Sequence, residues 1–153
     1  MTTRFEFHKV DATAYQTMMR VENYVRKSEI DKTLIELIKT RASQINGCAF
    51  CLDMHTKDAR QAGETEQRLY TLSAWQETPF FTPQERAALA LTEAVTLISQ
   101  QGVPDAIYEE VSRHFTPKQI TQLLMAIIAI NAWNRISITT QMLPGSYQVE
   151  AAV

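Results

Sequence analysis

Two helix-start signals constrain this chain more than anything else in it. Thr82-Pro83-Gln84-Glu85 and Thr116-Pro117-Lys118-Gln119 each place a hydroxyl at a cap, proline at the first helical position and a Glu or Gln three residues on. Such a pattern satisfies free amides reciprocally and fixes where a helix begins. Apolar residues at helical spacing follow both signals, and strand-like alternation is scarce. The spacing predicts helices over 12–27, 32–44, 48–62, 64–77, 83–100, 104–114 and 117–139. Asn46-Gly47, Gly63, Gly102 and Pro144-Gly145 supply the breaks. The expectation is an all-α chain of six or seven helices forming a single domain over residues 1–153.

Composition narrows the class of function. A formal charge of −2, with acids and bases interspersed, lacks the basic footprint of a nucleic-acid binder. The start, MTTRFEFHKVDATAY, has no apolar leader segment. The longest apolar run, Leu123–Ile130, is far shorter than the ~20 residues that span a bilayer. It reads as a core helix, or as part of a subunit interface, since a helix apolar on all sides must be covered. A cytoplasmic protein, with neither membrane nor nucleic acid as partner, is the expectation.

The chemistry concentrates in NGCAFCLDMH, residues 46–55. In a reducing compartment two cysteines this close read as redox or metal chemistry before they read as a staple. On a helix beginning at Cys48, Cys51 falls at ~300° and His55 at ~340°, so the three share one largely apolar stripe. Positions i and i+3 lie within the distance a disulfide can bridge. The helix N-terminus favours a thiolate. His55, one turn beyond Cys51, is placed to take a thiol proton directly or through water. Zinc is the rival interpretation. It wants four ligands, whereas Cys48, Cys51 and His55 offer three, and His8 and His114 stand alone.

The segment ELIKTRASQINGCAFCLDMHTKDARQAGE, residues 36–64, resembles the AhpD-like alkylhydroperoxidases of the carboxymuconolactone decarboxylase superfamily. Glu36, eleven residues, Cys48 and Cys51, three residues and His55 match that pattern position for position. The likeness continues through FTPQERAALALTEAVTLI and NAWNRISITTQMLPGSY. It implies an all-helical fold that assembles into homo-oligomers, often trimers or hexamers. It also implies hydroperoxide reduction at the cysteine pair, with electrons from a dithiol such as a lipoyl group and no further cofactor. By the resemblance Cys51 is the attacking sulfur, Cys48 the resolving one, and Glu36 and His55 form a proton relay.

Spacing alone treats Glu36 differently. It lies ~160–200° from the Leu34, Ile38, Ala42, Ile45 face, the position of a solvated residue. The chain also departs from the better-known peroxidatic members, which carry a histidine where Phe50 stands. That departure motivates an alternative, a general thiol-disulfide oxidoreductase or redox sensor. A zinc-stabilised interaction protein is the alternative of another class. Lactone decarboxylation gives a cysteine pair no evident role.

Overall fold

Every helix of 14 residues or more begins where a side chain takes up one of its first free amides. In the computed structural model, which describes residues 2–149, the helices are Phe7–Val10 (α1), Ala12–Arg26 (α2), Lys32–Asn46 (α3), Ala49–Gln61 (α4), Glu66–Thr71 (α5), Pro83–Thr96 (α6), Ile98–Gln101 (α7), Asp105–His114 (α8) and Pro117–Thr140 (α9). A 3-10 helix spans Leu72–Glu77. Among the described residues there is no strand. Asp11 caps α2 and Asp31 caps α3 by accepting the Ala14 and Leu34 amides at 2.9 and 3.1 Å. Both expected capping boxes form in full, at Thr82 and at Thr116.

Two expected helices are broken. Residues 64–77 do not form one rod: Thr65 caps α5, and from Leu72 the backbone tightens into the 3-10 helix. Residues three apart eclipse in that geometry, and it turns Leu72 and Trp75 together into the core. The helix expected over 83–100 ends at Thr96, whose buried hydroxyl accepts the Asn131 side-chain amide. Leu97 then leaves helical geometry before the short α7. With α1, these breaks raise the count above the expected six or seven.

Helix α3 is the axis of the molecule, flanked by α4, α6 and α9. Its adjacent residues Leu37 and Ile38 are both fully buried, in different apolar clusters. Ala42 joins a third cluster with Cys48, Cys51 and Ile130. Each such Leu or Ile contributes about 2 kcal/mol when removed from water, so burial on several sides outweighs the single-stripe pattern read from spacing. The consequence reaches Glu36. It faces α4 rather than solvent, with its side chain 16% exposed, and the solvated position inferred from spacing is corrected.

Helix α9 has the length and mean hydropathy of a membrane span. Here it packs on α2, α3 and α6. It buries the polar residues Gln122, Asn134, Ser137 and Thr140 alongside its apolar ones. Asn134 and Thr140 find protein hydrogen-bond partners, as buried polar groups must.

Candidate active site

The site is made by a chain reversal between α3 and α4. Gly47 closes α3 with φ of 70°, a left-handed conformation that glycine adopts without penalty. The Cys48 amide then donates back to the Ser43 carbonyl at 3.0 Å. This sets Cys48 in extended geometry as the N-cap of α4, one residue ahead of the first helical position. Cys51 follows in the first turn and His55 in the next.

The two free thiols face each other, with sulfurs 2.7 Å apart. Both are buried, at 1% and 3% exposure. Ala42, Ile130 and the partly buried Phe50 pack around them. The expected pairing of the sulfurs is therefore present in space.

His55 is buried on the same face of α4. Its Nδ1 lies 2.8 Å from Glu36 Oε2. Among the described residues no hydrogen bond joins His55 to either sulfur. The four expected residues thus come together as two couples, Cys48 with Cys51 at the start of α4, and Glu36 of α3 with His55 one turn further along α4. His8 and His114 stay outside: His8 tilts against Tyr15, and His114 pairs with Glu110 one turn away on α8.

Several site residues were not anticipated. Ser137 Oγ of α9 lies 3.7 Å from the Cys51 sulfur. Asn134, fully buried, donates to Ser43 Oγ at 3.0 Å and accepts from Asn46 at 2.8 Å. The signal for these was present: Asn131, Asn134 and Ser137 recur every third residue along the largely apolar stretch Leu123–Ile138. Asp58 lies one turn beyond His55 and accepts the Tyr147 hydroxyl at 2.7 Å. Nothing local to Tyr147 in the sequence points to it.

One proton is shared between the sulfurs, which eases the first ionisation and opposes the second. The Cys51 thiol, followed by the Cys51 backbone amide, Ser137 and Asn134, lowers the Cys48 pKa from 9.0 to about 7 against the cost of burial. The bond to Cys48, then burial, drives Cys51 upward. Of the two sulfurs, the one at the N-cap is therefore the easier to ionise. Burial raises the Asp58 carboxyl, with the Tyr147 bond opposing it.

Glu36, His55 and Asp58 bring one donor atom each within 4.8 Å of one another, a span compatible with a cation. Glu36 and His55 already satisfy each other, however, and Asp58 takes the Tyr147 hydroxyl. The cysteines do not join a three-ligand group among the described residues.

Residues 12–94 match the carboxymuconolactone decarboxylase family. The chain belongs to that family. Among its relatives is the uncharacterized protein YdfG of Bacillus subtilis (strain 168), 49% identical over 138 residues that cover 90% of this chain and 94% of that one. A crystal structure of a protein of unknown function from Agrobacterium tumefaciens, proposed to be the antioxidant defence protein AhpD, superimposes with a TM-score of 0.92. It is 42% identical, and the match covers 95% of this chain and all of that one. The alkyl hydroperoxide reductase AhpD of Hyphomonas neptunium is 35% identical over 65 residues, 40% of this chain and 36% of that one. The fold is thus the AhpD-like fold of the carboxymuconolactone decarboxylase family.

Proposed function

We propose that the protein is a thiol-dependent hydroperoxide reductase. The observation that carries this is the pair of facing sulfurs, 2.7 Å apart, with His55, paired to Glu36 of α3, one turn on along the same face of α4. Two free thiols that can close on each other, next to a proton acceptor, are what a two-electron reduction of a peroxide requires.

The cycle runs on the two thiol protons. His55, held by Glu36, takes one through water, and the other is shared between the sulfurs. Moving the shared proton onto Cys48 leaves the thiolate on Cys51, the attacking residue of the matching family pattern. Its electron pair attacks the distal oxygen of ROOH; the O–O bond breaks, and RO⁻ collects the proton from His55 as ROH. Cys48 then attacks the sulfenic sulfur, and hydroxide leaves with the Cys48 proton as water. The resulting disulfide is reopened by exchange with a dithiol, a lipoyl group being one such donor. A homo-oligomeric state and a cytoplasmic setting belong to the same proposal. Ile128 and Ile138, exposed on α9, support the former.

The test is single-turnover. Reduced protein is mixed with one equivalent of cumene hydroperoxide, and thiol loss and alcohol formation are followed. Wild type should lose two thiols per alcohol formed, and Cys51→Ser should form no disulfide and react at least about a hundredfold more slowly. A Cys51→Ser variant as fast as wild type would falsify the assignment.

Phe50 favours a second reading, a thiol-disulfide oxidoreductase. It packs on the cysteine cluster in place of a proton-handling group. Reduction of a small disulfide outpacing reduction of hydroperoxide would select that reading.

A further inference from the structure

Beyond α9, residues 141–149 run back along α4. Lys57 Nζ donates to the Tyr147 carbonyl at 3.0 Å, and the Gly145 amide donates to Asp53 Oδ2 at 2.9 Å. These two bonds hold the strap by its backbone. The Tyr147 hydroxyl is not needed for that, yet it reaches Asp58 Oδ1 at 2.7 Å. Asp58 in turn lies within 4.8 Å of both His55 and Glu36, a gap that one water can bridge.

We infer that Asp58, oriented by the Tyr147 hydroxyl of the C-terminal strap, is the third group of the Glu36–His55 proton relay. Both are positioning residues that act through His55. The inference rests on the peroxidase reading for its oxidant, but the relay can be probed without peroxide.

The chemistry gives such a group a task. The proton that leaves Cys51 must be held on His55 until RO⁻ departs, and it is then returned as the O–H of ROH. During that interval the imidazolium has two carboxyl groups within 4.8 Å, Glu36 on α3 and Asp58 on its own helix. Asp58 is faced by Glu36 and Lys39 from α3, by His55 from α4 and by Tyr147 from the strap, while Arg26 of α2 acts on Tyr147. The Tyr147 hydroxyl stays protonated, because burial and then the Asp58 bond raise its pKa. It is therefore a fixed donor, and it lowers the pH at which Asp58 takes up a proton.

The experiment compares Tyr147→Phe, Asp58→Asn and Asp53→Asn with wild type. Two rates are read across pH: alkylation of the reduced pair by iodoacetamide, and consumption of cumene hydroperoxide. In Tyr147→Phe the acidic limb of both profiles should move to higher pH, because the carboxylate loses its donor. In Asp58→Asn the carboxyl's part of that limb should be lost, leaving the thiol titration alone, and hydroperoxide consumption at pH 7 should fall about tenfold. Asp53→Asn removes the charge that pairs with Lys57 but keeps an acceptor for the Gly145 amide, so Tyr147 still reaches Asp58 and the wild-type limb should be kept. Folded Tyr147→Phe and Asp58→Asn variants with wild-type profiles overturn the inference. So does an Asp53→Asn profile matching Tyr147→Phe, since tethering would then explain the shift. If wild type consumes no hydroperoxide while the alkylation limb responds as described, the peroxidase reading fails and the relay assignment stands.

Discussion

The cysteines differ by where the backbone puts them. Cys48 occupies an N-cap, and Cys51 lies inside the first turn. A helix N-terminus and a neighbouring S–H both favour the anion at the cap. Alkylation of the reduced protein should therefore show one thiol titrating at about 7 and a second that lags behind it at every accessible pH. Mass spectrometry of partly alkylated protein should find the first label on Cys48. Joint loss of both thiols in the ordinary cysteine range would contradict the shared proton. Linkage gives the sign for stability. Cys48 has a folded pKa below its unfolded one, so its stabilisation is complete above the unfolded value and is lost as pH falls through about 7. Cys51 has a raised folded pKa, so its contribution is present below the ordinary thiol value and is lost above it.

At the scale of elements, the α3–α4 reversal is the vulnerable joint. A side chain at Gly47 would meet nothing within 4 Å, so the cost of Gly47→Ala is conformational and not steric. A left-handed alanine costs about 1 kcal/mol, and urea denaturation should show a loss of that size with the thiol titration retained. A much larger loss would mean that the turn tolerates no adjustment. The joint also shows what was legible in the sequence. Asn46-Gly47 and the two Thr-Pro capping boxes act through neighbours a few residues away, so helix order could be read directly. The break at Leu97 and the tightening at Leu72 could not, because each is tied to contacts from other helices. The site divides the same way. Cys48, Cys51 and His55 share one helix, and helical geometry suffices to group them. Glu36 needs α4 to cover it, and its place was implied only by the family resemblance. Asn134, Ser137 and Tyr147 arrive from some ninety residues further along the chain.

Across the whole molecule, the crowding that brings Glu36 inward also buries an ion pair. Lys39 pairs with Glu22 of α2, their side chains 4% and 9% exposed, and the second Glu22 oxygen takes no protein hydrogen bond. Removing one partner strands a charge in the core. Lys39→Met should cost about 3 kcal/mol in chemical denaturation, and Glu22→Leu with Lys39→Met together should recover most of it. A double variant as unstable as the single one would show that the pair holds α2 on α3 by more than mutual neutralisation. A last consequence follows from the burial of both sulfurs beneath α9 and Phe50. Small thiol reagents should therefore label the reduced pair faster than bulky aromatic disulfides, which must wait for local opening.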